Sequence, residues 1–182
     1  MRGTAHADHR RGAYRDTGLE DPLVNSAYLH LALNHIPIIT TLIGLLLLAA
    51  AIFWRKSADL TGAALALLVL GALVAIPTYR TGEPAEEIVE ELPGISHETI
   101  HDHEEAAETA VWAVGLAGVA AAGGLIWLRR RGSAPSWLLV VTLVLALVAT
   151  VLLARTATLG GLIRHSEIAA VQCGWEAPYR SL

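Results

Sequence analysis

The run "IPIITTLIGLLLLAAAIFW" occupies residues 36–54 and decides the class of fold. It contains no charged residue, and a membrane-spanning helix needs about 20 mostly apolar residues. In lipid, every backbone N–H and C=O group must be paired within the protein, so a segment of this length crosses a bilayer as a helix. The run therefore predicts a transmembrane helix.

Three further apolar runs follow it along the chain: Leu60–Tyr79, Ala110–Leu128 and Trp137–Ala154. The chain of 182 residues is 54% hydrophobic and 16% charged, which is too apolar for an ordinary soluble domain. We expect an all-α integral membrane protein. It is a four transmembrane helix bundle with a long acidic periplasmic loop between helices 2 and 3.

The pattern divides the chain into an N-terminal periplasmic arm at 1–24, a transmembrane bundle at 25–158 and a periplasmic C-terminal tail at 159–182. The arm has no apolar core, so it does not resemble a signal peptide. We expect the fourth helix to end near residues 155–158, with Gly160 and Gly161 turning the chain. The four spanning helices are expected at about 28–54, 60–79, 105–128 and 137–156.

The basic residues predict the orientation, because short loops rich in Lys and Arg stay in the cytoplasm. The loops "WRKSAD" and "LRRRGSAPS" are short and basic, whereas residues 79–104 contain eight acidic residues and one arginine. Loops 1 and 3 are therefore expected in the cytoplasm and both termini in the periplasm of a bacterial inner membrane. Three tryptophans should mark the cytoplasmic edge: Trp54, Trp127 and Trp137.

The chain has eight histidines, and six of them lie at or near the non-cytoplasmic helix ends. These six are His30, His35, His97, His101, His103 and His165. In helix 1, four residues at three- and four-residue spacing predict one polar stripe that faces the bundle, since polar groups are costly in lipid. They are His30, Asn34, Pro37 and Thr41. Histidines from distant parts of the sequence thus converge on one membrane face.

Helix 3 is expected to begin near Ser96, after the "LPG" break at residues 92–94. His103 shares its helix face with Ile100 and Ala107, so it should point toward the small, apolar side. His97 and His101 share their face with glutamates and should be solvated. The run "GEPAEEIVEEL" at 82–92 indicates an amphipathic, acid-rich surface helix.

Four segments of the chain carry a family resemblance: "HLALNHIPI", "TGEPAEEIVEELPGIS", "HEEAA" and "RTATLGGLIRHSEI". They resemble uncharacterised four-helix bacterial membrane proteins and, more distantly, the DUF2231 family, which also pairs two histidines near the start of helix 1 with later ones. The resemblance covers about residues 28–168 and supplies positions, not an activity. The matched polar positions are His30, Asn34, His35, Glu83, Glu86, Glu87, His103, Glu104, Gly160, Gly161, Arg164, His165 and Glu167.

One hypothesis for the histidines is a b-type haem on the non-cytoplasmic side, in an electron-transfer protein or haem-bearing accessory subunit. Neutral imidazole is a common axial ligand, and a bundle can present two of them from different helices. His35 and His103 are the preferred pair, followed by His165 and then His30. Cys173 is the single cysteine, so a haem would be held without covalent links. Three arginines lie at the level of the propionates: Arg80, Arg155 and Arg164.

Two alternatives remain open. A site for Zn, Cu or Fe could use His35, His103 and His165 with Glu104 or Glu83. Alternatively, the histidines cap helix ends in a structural accessory subunit of a larger membrane redox complex, photosynthetic or respiratory. The small residues of helix 3 favour close helix packing of this kind.

Other function classes lack sequence support. No Ser-His-Asp spacing, phosphate loop or H-E-x-x-H motif occurs, so the chain is not expected to be an enzyme by itself. Its formal net charge of −4 argues against nucleic-acid binding. The helix centres carry no charge, which argues against an ion or proton channel. The lipid bilayer is the expected partner.

Overall fold

The computed structural model describes residues 26–55, 57–90 and 96–164. All the regular structure in these ranges is helical, which confirms the all-α prediction. The elements are α1 (Ser26–Leu33), α2 (His35–Ala50) with a π-helical turn (Ala51–Arg55), α3 (Ala58–Arg80), α4 (Gly82–Glu90), α5 (His97–Arg131) and α6 (Ser136–Arg164).

Four helical stretches are long and apolar enough to cross a membrane: Tyr28–Trp54, Ala58–Arg80, His97–Arg131 and Ser136–Ile163. Many of their large apolar side chains point outward. Leu46, Leu73 and Val119 are 59%, 60% and 74% exposed, respectively. Apolar surface of this extent is stable only when another apolar medium covers it. The chain is therefore a membrane protein, as predicted.

Successive spans run in opposite directions, so the bundle has two distinct ends. The histidine end contains the start of α1, the end of α3, the start of α5 and the end of α6. The arginine end contains the end of α2, the start of α3, the end of α5 and the start of α6. Exposed aromatic side chains lie toward both ends, as expected for residues at membrane–water interfaces: Tyr28, Tyr79 and Trp112 at the first, and Trp54, Trp127 and Trp137 at the second.

The first span consists of α1 and α2, which are separated by Asn34. Pro37 has no N–H to donate to the carbonyl of Leu33, so regular α-helix stops there. Asn34 keeps helical backbone angles (φ −59°, ψ −26°) and its N–H donates to the His30 carbonyl at 2.9 Å. The stripe predicted to face the bundle does so, because His30 and Asn34 are half-buried and Pro37 and Thr41 are buried.

The core forms where leucines of α2 and α3 pack against small residues of α5 and α6. Its buried members include Leu45, Leu48, Leu65, Leu68, Ala121 and Ala146. Small residues let helix backbones approach closely, which drives association where lipid removes the hydrophobic effect. The closest such approach is at Gly118, where an added Cβ would overlap the Cβ of Ala72 on α3.

The acidic segment is in large part helical. Residues 82–90 form α4, which confirms the amphipathic surface helix, with Ala85 buried and Glu83 and Glu87 exposed. Helix α5 begins at His97, and its N-cap Ser96 accepts a hydrogen bond from the Thr99 N–H at 3.4 Å. Within the predicted acidic connection, the structure thus has helix on both sides of residues 91–95, and α5 begins one residue after the predicted Ser96.

The turn predicted at Gly160 and Gly161 is wrong, because α6 continues through both residues to Arg164. A glycine inside a helix is unfavourable by about 1 kcal/mol relative to alanine, but packing can override this. Within the described residues a left-handed glycine occurs at Gly132, which ends α5 with φ 77°. That residue, unlike the glycine pair, is the helix stop.

We expect Gly118→Ala to lower the free energy of unfolding by about 1–3 kcal/mol, because the new methyl must push α3 away. Gly115→Ala is the matched control, since nothing lies within 4 Å of a Cβ at that position. Reversible unfolding of the detergent-solubilised protein measures both variants. Equal stability of the two variants would contradict the close α3–α5 contact.

Candidate functional site

His30 lies near the start of the first span and reaches the end of α3. The last carbonyls of a helix have no N–H partner within it, and Thr78 is one of these residues. The Nδ1 atom of His30 is 3.0 Å from the Thr78 carbonyl oxygen. The Thr81 hydroxyl also approaches, 3.4 Å from Nδ1 and 2.9 Å from the same carbonyl oxygen. His30 therefore caps α3 and ties it to α1.

His103 makes the equivalent contact between α5 and α6. Its Nδ1 atom is 3.0 Å from the Thr156 carbonyl oxygen, and its side chain is half-buried. The ring packs over Gly160, where an added Cβ would lie 3.0 Å from the ring atom Cε1. His103 thus points toward the interior, as its position beside the buried Ile100 predicted. The glycine in α6 is explained by the space that this ring occupies.

The two contacts fix the same tautomer in both histidines. A carbonyl oxygen only accepts hydrogen bonds, so Nδ1 carries the proton in each ring. The Nε2 lone pairs of His30 and His103 are then left as acceptors or ligands. Neither Nε2 atom makes a hydrogen bond to a described residue. Metal-ligating histidines have this arrangement, with one ring nitrogen on the metal and the other donating to a carbonyl.

His30 and His103 lie at the same end of the bundle, and His30 and Glu104 act on the charge of His103 with opposite signs. We call His30 and His103 the histidine pair. The preferred sequence-based pair used His35 instead of His30. His35 is exposed and lies outside the inward stripe, whereas His30, the fourth candidate, is half-buried on it; which histidine partners His103 stays a prediction.

The remaining candidates lie around the pair or outside the described residues. Arg80 and Arg155 are exposed, and Glu104 is exposed on α5. Arg164 ends α6, but its side chain is outside the described part of the structure, as is His165. His97 and His101 are exposed, as predicted, and the Nε2 atom of His101 lies 3.6 Å from a carboxylate oxygen of Glu105.

The inward stripe, whose burial the sequence predicted, contains two unpaired polar atoms among the described residues. The side-chain oxygen Oδ1 of Asn34 is buried and has no hydrogen-bond partner among the described residues, and the same is true of Oγ1 of Thr41. An unpaired buried acceptor costs about 1–3 kcal/mol. Asn34 lies one helical turn below His30, so the inner face at this end has spare acceptor capacity beside the imidazole. The i, i+4 spacing from His30 was the available signal.

No protein-family model, curated protein or solved structure matches the chain. The resemblance to the DUF2231 family therefore depends on the quoted sequence segments alone and stays a prediction. Fold and site together define a class, namely a four-helix membrane protein with two hydrogen-bonded histidines at one end. Function has to be argued from that site, because a helix bundle hosts many functions.

We expect Gly160→Ala to lower the free energy of unfolding by about 1–2 kcal/mol, because the added methyl presses on the His103 ring. Gly161→Ala is the neighbouring control, since nothing lies within 4 Å of a Cβ there. Replacing Gly161 with alanine should leave the free energy of unfolding unchanged or raise it slightly, because Gly161 is an exposed glycine within a helix. A Gly160→Ala variant as stable as the control would show that the ring does not sit over α6.

Proposed function

We propose that the protein is a membrane-embedded b-type haem protein, or a haem-bearing accessory subunit, that serves electron transfer. The supporting observation is the histidine pair. Two half-buried imidazoles from different spans each donate Nδ1–H to a backbone carbonyl. The proton on Nδ1 makes Nε2 a neutral nitrogen ligand, which is the form that binds haem iron.

The histidine pair supplies two nitrogen donors from two different spans. Among the described residues, no group of three or more His, Cys, Asp or Glu side chains could hold a metal. Protein sites for zinc ordinarily use at least three such ligands, and other transition-metal sites also draw on several N, O or S donors. Two imidazoles instead match the two axial positions of a haem. The alternative site for Zn, Cu or Fe also uses His165, which lies outside the described residues, so it stays a prediction.

The surroundings of the pair also fit a haem. Arg80 follows the Thr78 carbonyl by two residues, and Arg155 directly precedes Thr156. Both guanidinium groups are exposed at the level of the imidazoles, where they would pair with propionates. Such a group would supply one-electron transfer, while the histidines hold the iron.

A structural role is the second candidate, and the same hydrogen bonds favour it. His30 joins α1 to α3 and His103 joins α5 to α6, each across about 50 residues of sequence. In this alternative the protein is an accessory subunit without cofactor, packed against a larger membrane redox complex. The Nδ1–H bonds serve both candidates, so only the use of Nε2 separates them.

The absorption spectrum of the purified protein, oxidised and then reduced with dithionite, tests the haem. We expect a Soret band with sharp reduced α and β bands when the host cells supply haem. His30→Ala and His103→Ala should each abolish the reduced bands, because each removes one axial nitrogen. His35→Ala is the matched control, and we expect it to keep them. A featureless spectrum from haem-replete cells would exclude the haem proposal.

A conservative variant separates ligation from helix capping. His103→Asn places an amide N–H near the position of Nδ1 and has no counterpart of Nε2. If the histidine is a ligand, His103→Asn loses the haem bands. Its cap is retained, so the His103→Asn apoprotein should unfold at a temperature equal to or higher than that of the His103→Gln apoprotein, which serves as the comparison. If it is only a cap, the wild type has no haem and His103→Asn keeps nearly wild-type stability. The cap is worth about 1 kcal/mol.

We infer that the histidine end faces the periplasm of a bacterial inner membrane, with both termini on that side, because the short arginine-rich loop lies at the other end. In a Cys173→Ser background, Glu98→Cys and Ser133→Cys place single thiols at exposed positions of the two ends. A membrane-impermeant maleimide applied to intact spheroplasts should label only Glu98→Cys. Labelling of Ser133→Cys alone would invert the topology.

A further inference from the structure

The arginine end carries a groove on the outer surface of α5. Its volume is about 220 Å³, and two consecutive turns of one helix line it: Gly123, Ile126, Trp127, Arg130 and Arg131. The groove is separate from the histidine pair, which lies at the opposite end of the same helix. We propose that it binds an anionic phospholipid, with the phosphate on the two arginines and an acyl chain along the glycine.

The deeper part of the groove is apolar and open. Gly123 is exposed, and nothing lies within 4 Å of the place where its Cβ would be. Ile126 and Trp127 flank it and are 55% and 46% exposed. The missing side chain at Gly123 thus leaves a channel one helical turn long between two large apolar groups. A hydrocarbon chain fills such a channel with dispersion contacts and leaves no polar group unpaired.

The outer part of the groove is positively charged. Arg130 and Arg131 are exposed in the last turn of α5, next to Arg129. Among the described residues at this end, Asp59 is the single acidic one, so the arginines leave the end with a net positive charge. Guanidinium groups bind phosphate oxygens through paired hydrogen bonds. The groove therefore complements an anion at one end and a hydrocarbon at the other.

The position of the groove along the membrane normal favours a lipid over a free phosphate. Trp127 belongs to the aromatic residues of this end, which mark the interface between hydrocarbon and headgroups. Arg130 and Arg131 lie one turn beyond it, at the level of lipid phosphates, while Gly123 lies one turn before it, among acyl chains. A phospholipid whose headgroup carries net negative charge satisfies both levels, because basic residues near the membrane surface attract anionic headgroups.

The full-length protein purified in detergent is incubated with phosphatidylglycerol, or with phosphatidylcholine of the same acyl chains, and retained lipids are counted by native mass spectrometry. We expect phosphatidylglycerol to be retained and phosphatidylcholine to be lost. Arg130→Gln/Arg131→Gln should weaken retention of phosphatidylglycerol about tenfold, which corresponds to about 1.4 kcal/mol. Arg129→Gln removes a charge from the same turn without touching the groove, and retention should stay within about twofold of the wild type.

Gly123→Leu tests the acyl-chain half of the site with all arginines intact, and we expect it to weaken retention as much as the double variant. Equal losses in Arg129→Gln and in the groove variants would reduce the effect to bulk charge and overturn the proposal. Equal retention of both lipids would overturn it as well. A dimer of this chain that forms without lipid and dissociates in Gly123→Leu would assign the groove to a second copy instead.

Discussion

The structure depends on one constraint, which is that a backbone in lipid has no water with which to pair its polar groups. Long helices satisfy this constraint in their interiors, and their unpaired carbonyls and N–H groups collect at the ends. The polar side chains of this protein are placed accordingly. Ser96 caps the start of α5, Thr81 and His30 cap the end of α3, and leucine, alanine and glycine fill the interior.

The constraint also explains why the histidines are ambiguous between cap and ligand. Donation of Nδ1–H to the carbonyls of Thr78 and Thr156 pairs two helix-end carbonyl oxygens. It also orients the lone pair of Nε2, which is the atom that would bind a metal. A helix cap and an outer-shell hydrogen bond of a metal ligand are thus the same contact. What distinguishes the pair from ordinary caps is that His30 and His103 come from different spans and lie at the same end of the bundle.

The two ends of the bundle differ in chemistry. The histidine end presents imidazoles, carboxylates and a separate surface helix, α4. The arginine end has short connections, exposed tryptophans and consecutive arginines that follow the last turns of α5. Helix α5 joins these environments, since its first turns carry His103 and its last turns carry the lipid groove. Helix α5 would therefore contact both a redox group at one end and an anionic lipid at the other.

The sequence by itself determined the helical class, the four spans, the inward stripe of helix 1 and the solvated side of α5, because these follow from hydrophobicity and helical periodicity, which are local properties. Tertiary structure alone decided which histidines cap which helices. The sequence favoured His35 by its depth, whereas in the structure packing turned His30 toward the end of α3. The sequence also predicted a turn at Gly160, whereas in the structure this glycine lies within α6 and leaves room for the His103 ring of α5. Such contacts join residues about 50 positions apart, and no local pattern encodes the rotation of one helix against another.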